Sequence, residues 1–438
     1  MEYVLGIDLG TSYFKLGLFD KNLNLCGLGR VAVEKDVGDG SLCELPTERF
    51  WKLLQKGLTD ALKQTKAKPT AIKAVSYCSQ ANSFVLLDKN DKPLTPLVLW
   101  PDERVKDISP KVKRLWSEDD FLQTTGIGIE CRPRCCVNKL LWFKKNKPNI
   151  WQKTKRIMTI SDYLTFSLTG QHIGDAGTAS LLGLFDLQRL KWWDKAFDIL
   201  GLDDSMFSKP LRPGSSAGNI NERGQKLLGI EAGLPFVIGS MDHHIAAIGA
   251  GVGTIADMSE STGTTLGCIN LTKKYYPRKN ICIGPTVENN SFYQLSLNHN
   301  GATSLQWYQQ NYASNFSIEQ LVKMAEEASP GCNGLVALPG ADKYDNLTGF
   351  KNRTDKQTHG HFIRAIMEST AKSLAELINQ LCDKENPKKI VATGGGAKSD
   401  LWLKIKSNLT GVEFITTNCD EPACKGAAVL ASRMIKDK

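Results

Sequence analysis

No stretch of the 438-residue chain is apolar over the length a bilayer crossing needs, so no membrane-spanning segment is expected. The amino-terminal MEYVLGIDLGTSYFK lacks the charged start, apolar core and small-residue cleavage site of a secretory signal, and the reading is a cytoplasmic protein. Twelve cysteines are present, but CRPRCC (131–136) and CDEPAC (419–424) do not supply the paired C-x-x-C spacing of a structural zinc site. They read as reduced thiols. Neither G-x-G-x-x-G nor the P-loop pattern occurs, which argues against a Rossmann enzyme and a Walker-type ATPase. The net charge of +9 is scattered among acidic residues instead of gathered into a stripe with interleaved aromatics, so no nucleic-acid partner and no membrane partner is expected.

What is present is length and a repeated pattern. A chain this long exceeds one ordinary core, and two domains of roughly 200 residues each are the default. YVLGIDLG, SYFKLGLFD and LCGLGRVAV read as three successive strands, with a turn at Asp20-Lys21-Asn22. A helical pattern follows over 47–64, with Thr47 placed to cap it, and AIKAVSYCSQ returns to strand. LPFVIGS (234–240) is a short buried strand. GVGTIADMSESTGTTLGCINL then repeats the opening character of strand, Ser/Thr/Gly turn and strand. A long amphipathic helix is expected over 361–381, and KKIVATGGGAKSDLWLKIKSNLTG reads as strand, three glycines and a helix closed by Gly411. The pattern suggests a duplicated α/β unit divided near residue 245, giving domains 1–245 and 246–438.

Three turns could carry phosphate chemistry. Asp8-Leu9-Gly10-Thr11-Ser12 offers close-approaching amides, a hydroxyl and a carboxylate able to hold the water shell of Mg²⁺, although alone it is also an ordinary hairpin turn. Ser261-Thr262-Gly263-Thr264-Thr265 occupies the corresponding place in the second half and could grip a second phosphate. At Gly394-Gly395-Gly396 the missing side chains would let a flat ligand or its ribose lie against the backbone. Gly249-Ala250-Gly251-Val252-Gly253 reads more simply as small residues packing two elements closely. GSMDHHIAAIGAG (239–251) sets one carboxylate beside two imidazoles, and the residues alone leave open a metal site, a base or a capped helix.

Taken in order, these features resemble the FGGY carbohydrate kinases of the actin-like ATPase superfamily, with xylulose kinase-like character. The resemblance runs over nearly the whole chain. It is carried by GIDLGTS with Lys15, the SQ…LLDKNDKPLTPLVLWPDER segment, DYLTFSLTG, GSMDHHIAAIGAG, ESTGTT, HFIRAIMES, TGGGAKSDLW and EPACKGAAVLA. It implies an α/β protein of two ribonuclease H-like domains, each a mixed sheet flanked by helices, with a central cleft. The first domain would bind sugar and the second ATP. By the same resemblance Asp242 is the general base, and Asp8 holds Mg²⁺ through water. Thr11, Ser12, Lys15, Gly263, Thr264, Thr265 and Gly394 to Gly396 contact the nucleotide, and Gln80, Asn82, Asp102 and Asp242 contact the sugar. Asp102 could accept two hydroxyls, with a surface salt bridge to Arg104 as the rival reading. Adjacent histidines do not easily face one site, so His243 and His244 are taken as cap or substrate-contact residues.

The chain departs from the family at Ala81-Asn82, where xylulose kinases usually have Met-His, and at 340–360, which is short and lacks the Gly-Glu-Arg-x-Pro stretch. The expectation is ATP-dependent phosphorylation of a small sugar, foremost a ketopentose of the xylulose or ribulose kind. The alternatives are a kinase of a polyol such as glycerol or of another sugar, or an inactive nucleotide-dependent binding protein. A homodimer is left open.

Overall fold

Alternation of apolar residues makes both faces of the first strand useful. In β1 (Tyr3–Leu9), Leu5, Ile7 and Leu9 point into one core, and Val4 joins a second core on the opposite face. A strand buried on both sides belongs in the middle of a sheet. β1 indeed lies between β2 (Tyr13–Phe19), antiparallel, and the parallel strand Ile72–Ser79. The whole sheet runs Ser216–Asn219, Pro235–Met241, Ile72–Ser79, β1, β2, β3 (Leu25–Ala32). Residues 1–38, 41–382 and 387–436 are described, by a computed structural model.

On one face lies α1 (Thr47–Thr65), whose Phe50, Leu54 and Leu58 meet Leu5, Ile7 and Leu16. Thr47 does not cap this helix. Pro46, with its ring-fixed φ of −53°, holds the N-cap position, and Thr47 is already helical and buried. The opposite face is covered by the helix Pro422–Lys436, which brings Cys424, Ala427, Ala428 and Leu430 onto Val4, Cys78 and Val237. The approach is very close: a Cβ on Gly6 would sit 2.1 Å from the carbonyl oxygen of Cys424. Glycine is required there by the backbone behind it.

Two compact units result. The first is not continuous, as the expected 1–245 and 246–438 division has it. It comprises Met1–Gly249 together with Lys273–Tyr293 and Glu421–Lys438. Besides the main sheet it holds a small four-stranded one, in the order Glu44–Leu45, Leu97–Val98, Phe84–Leu87, Arg156–Thr159. The helix Cys136–Asn146 buries Val137, Leu140 and Phe143 in the core that this small sheet shares through Phe84, Leu86 and Val98.

The second unit comprises Ala250–Thr272 and Gln294–Asp420. Its central strand Met258–Thr262 is antiparallel to Leu266–Thr272 and parallel to Lys389–Thr393, which is itself parallel to Glu413–Ile415. This repeats the first unit's plan of a hairpin followed by parallel additions. Its helical layer includes His359–Leu381, with Ile363, Ile366 and Met367 fully buried, and Asp400–Thr410, closed by Gly411 at φ 70°. The repeat places the turn after β1 and the turn after Met258–Thr262 at equivalent positions.

Candidate active site

Strand direction creates the first centre. β1, Ile72–Ser79 and Pro235–Met241 are parallel, and the register sets Asp8 opposite Cys78 and Ser79 opposite Met241. Their carboxyl ends therefore deliver Asp8, Gln80 and Asp242 along one edge, the edge at which open α/β sheets bind ligands. Lys15 joins them because it is the antiparallel partner of Asp8 on β2.

Asp8 is buried, with Lys15 Nζ at 3.4 Å from its Oδ2 and the Cys78 thiol at 3.4 Å from its Oδ1. Lys15 also donates to Glu421 at 2.6 Å. Burial pushes the Asp8 carboxyl up to about 6; Lys15 opposes that rise, and the Asp242 carboxylate adds to it. Burial acts to lower the Lys15 ammonium, but Asp8 and Glu421 outweigh it and hold Lys15 above its usual range. Three carboxylates and one ammonium leave an excess of negative charge. Carboxylate oxygens are the hard donors that Mg²⁺ takes, but among the described residues no three of them lie together as direct ligands, so the fit is to a cation held through water.

Asp242 is the first residue of the helix Asp242–Ala250 and is half-buried. Its Oδ1 accepts the backbone N–H of His243 at 2.8 Å, which orients the carboxylate. Oδ2 has no hydrogen-bond partner among the described residues. The two histidines part company. His244 is buried in the core, stacked on Tyr293 with ring centroids 5.4 Å apart and 3.3 Å from the Ser240 hydroxyl. Burial lowers it to about 3, so it is neutral. It is therefore a packing residue, neither a cap nor a substrate contact, and Gly284 is needed to make room for its ring. The small-residue reading of Gly249 holds: a Cβ there would lie 1.9 Å from the Pro422 carbonyl oxygen. Gly426 likewise presses against the carbonyl of Ile245, so two helices cross nearly backbone to backbone.

The turn after β1 is braced from behind. Gln80 is buried and donates to the carbonyls of Leu9 and Gly10 at 3.3 and 3.1 Å, while its Oε1 accepts from Ser83 at 2.9 Å. Trp100 Nε1 donates to Thr11 Oγ1 at 2.6 Å. Ser12 is exposed. Asn82 stands at φ 62°, and its Oδ1 accepts the N–H of Cys136 at 3.1 Å, so it caps the start of the helix Cys136–Asn146.

Asp102 differs from its expected role. It is fully buried, and its oxygens accept from Arg104 Nε at 2.7 Å, Arg104 Nη2 at 2.9 Å and the Cys43 N–H at 2.7 Å. Burial acts to raise its carboxyl, but these donors together hold it below its usual range. The salt bridge with Arg104 exists, inside the protein and not at its surface, and it leaves Asp102 little capacity for sugar hydroxyls.

The second centre is built the same way in the second unit. Thr262, Gly263, Thr264 and Thr265 follow the central strand, and the Gly263 carbonyl is held by the Ala302 N–H at 2.7 Å, that of Thr264 by the Thr303 hydroxyl at 2.8 Å. Thr264 and Thr265 are exposed. Behind them Lys406 donates to Glu260 at 2.6 Å and to Thr262 Oγ1 at 2.9 Å, and Thr262 donates to Glu260 at 2.7 Å, a closed triangle in which Lys406 and Glu260 are wholly buried. Gly394 at φ 76° and Gly396 lie against Thr262; a Cβ on Gly396 would be 2.7 Å from the Thr262 side chain. Gly395 opens instead onto a cavity of about 550 Å³, lined also by Ala302, Gln306, Val322, Lys398 and Trp402. That volume lies in the range of small-ligand sites.

Glu421, the Lys406–Glu260–Thr262 triangle and the Trp100 contact were not anticipated. The EPACKG motif was the available signal for Glu421. A lysine at a helical position in KIKSNL reads as solvated, so nothing marked Lys406.

Residues 3–249 match the N-terminal domain of the FGGY family of carbohydrate kinases, and residues 259–435 match its C-terminal domain. The chain belongs to that family and is an ATP-dependent carbohydrate kinase with the actin-like ATPase fold. Relatives differ in substrate. The gluconokinase of Bacillus licheniformis is 26% identical over 98% of this chain and 87% of its own. The xylulose kinase of Haemophilus influenzae is 28% identical over 98% and 90%. In fold, the ligand-bound xylulose kinase from Lactobacillus acidophilus and the Plasmodium falciparum glycerol kinase with ADP both superpose with TM-score 0.85, at 22% and 21% identity, over 100% of this chain and 90% of theirs. No helix among the described residues is long and apolar enough to cross a membrane.

Proposed function

We propose that the chain phosphorylates a hydroxyl of a ketopentose of the xylulose or ribulose kind, with Asp242 as general base. The observation that carries the assignment of the base is the free Oδ2 of Asp242 at the same sheet edge as Asp8 and Lys15. As the sugar oxygen forms its bond to the γ-phosphorus and the bond to the ADP oxygen breaks, the hydroxyl proton passes to that oxygen of Asp242. Phosphoryl transfer has a loose transition state, so an aimed base and charge neutralisation suffice. Mg²⁺, held through water by Asp8, would supply neutralising charge for the phosphates. Lys15, fixed between Asp8 and Glu421, keeps Asp8 ionised for that role. In the first unit the amides of Gly10 to Ser12 are the phosphate donors; in the second, where the Gly263 N–H is held by the Thr265 carbonyl at 3.1 Å, those of Thr264 and Thr265 are, and the cavity beside Gly395 takes the adenosine.

Support for a ketopentose is the group of relatives named xylulose kinase. The gluconokinases, at similar identity, make an aldonate the second reading. An ADP-release assay with xylulose, ribulose, gluconate and glycerol decides. The expected order puts a ketopentose first in kcat/KM; a gluconate value more than roughly tenfold above both ketopentoses, a 1.4 kcal/mol preference, overturns it.

A further inference from the structure

The segment CRPRCC does no work in the kinase reading, yet its chemistry is organised. Residues 132–135 form a tight turn closed by the Cys135 N–H to the Arg132 carbonyl at 3.0 Å, which folds Cys131 back toward Cys135. Cys135 Sγ accepts the Arg132 N–H at 3.3 Å, and Cys131 Sγ accepts from Asn138 Nδ2 at 3.5 Å. The Cys135 sulfur thus lies against the amide that directly follows Cys131, and each thiol acts on the other's ionisation. Cys135 is the N-cap residue of the helix Cys136–Asn146, where the helix dipole favours an anionic sulfur. Both thiols are partly exposed, and neither is in a disulfide. The next residue, Cys136, is buried and gives its N–H to Asn82. Lys139, one turn on, donates to the carbonyls of Asn82, Leu99 and Trp100, and Trp100 holds Thr11.

We propose that Cys135 and Cys131 form a reversible oxidation site, with Cys135 the attacking thiolate and Cys131 the resolving thiol, which is read out through Asn82. The oxidant is a hydroperoxide. The Cys135 thiolate attacks the distal peroxide oxygen, the O–O bond breaks, and the leaving alkoxide or hydroxide takes a proton, giving Cys135 sulfenic acid. Cys131 then attacks that sulfur, and its proton and the hydroxyl leave as water. Two thiols and one peroxide thus become a disulfide, an alcohol or water, and one water. The neighbouring Cys131 thiol, against the opposing effect of burial, together with the Arg132 amide and the Lys139 and Arg132 charges, brings the Cys135 thiol down to about 7, whereas burial pushes Cys136 up to about 12. Bringing the two sulfurs of this turn to a bonded pair tightens it and draws Cys136 from Asn82.

The chemistry stands without the substrate assignment; only its effect on sugar affinity rests on it. The full chain, reduced and then treated with stoichiometric hydrogen peroxide, is cleaved after Glu130 and mapped by mass. A Cys131–Cys135 disulfide reversed by dithiothreitol is expected. Cys131→Ser should instead accumulate a dimedone-reactive sulfenic acid at Cys135, and Cys135→Ser should give neither product. Loss of the Asn82–Cys136 bond should raise the KM for the sugar roughly five- to tenfold while the KM for ATP stays put. Oxidation that maps first to Cys26 or another cysteine, or that persists at Cys131 in Cys135→Ser, overturns the site. A disulfide that forms with the sugar KM unmoved overturns the coupling through Asn82 and leaves the kinase assignment intact.

Discussion

Replacing Lys406 by Met tests the support under the second phosphate turn. Lys406 and Glu260 have no exposed side-chain surface, and the ammonium is bonded to both Glu260 and Thr262. Methionine fills nearly the same space, so the change removes charge with little loss of packing. A buried carboxylate is then left with one hydroxyl donor, and breaking such a pair costs about 3–5 kcal/mol. For a unit of this size, roughly 2–4 °C per kcal/mol gives a melting point lower by about 6–20 °C. Adding Glu260→Gln should recover most of this, because removing both charges is often close to neutral. Circular dichroism melts of the three proteins, with the KM for ATP measured beside them, make the comparison. A single variant that loses less than about 1 kcal/mol, or a double variant that melts no higher than the single one, refutes the reasoning.

Asp242→Asn should lower kcat by roughly 10²–10⁴, the usual worth of general-base catalysis, while the KM for ATP stays near wild type in the ADP-release assay. Asp8→Asn should abolish turnover yet stabilise the fold at pH 7–8. The folded pKa of about 6 lies above the ordinary 3.8, so the native state binds the extra proton between those values and stability falls as pH rises through that window. The gain, of order 3 kcal/mol above pH 6, should vanish near pH 4, which melts at both pH values would show. Arg104→Met should destabilise the first unit by about 3–5 kcal/mol by orphaning Asp102, and Asp102→Asn should cost stability with less than a threefold change in sugar KM; a much larger KM effect would restore Asp102 as a sugar contact.

Period and turn chemistry were legible. Alternation in YVLGIDL and the Gly-Thr-Ser that follows specified a buried strand and its turn, and Gly411 closed its helix as read. Side-chain partners were less so. Asp102 and Arg104 lie two residues apart, and spacing gives the pair but not its burial, which comes from Cys43 and Glu44 far away in the chain. His244 looked available because it lies close to Asp242, yet two residues along a helix are about 200° apart, which puts one at the sheet edge and the other against Tyr293. Glu421 could be placed only by the return of a distant segment to β1 and β2. The departures at Ala81-Asn82 point to Asn82 as a helix cap, a role that sequence neighbours cannot announce.

The two helices that cross at Gly249 and Gly426 set an order on biosynthesis. One of them starts with Asp242, and the other lies nearly two hundred residues downstream, against β1 itself. Domains usually assemble amino end first while still on the ribosome. Here Ile245 of the nearer helix can cover Cys78 and Val237 early, but Val4 and Ala74 on the same face stay bare until the helix Pro422–Lys436 has been made, so the earliest strands must wait for it.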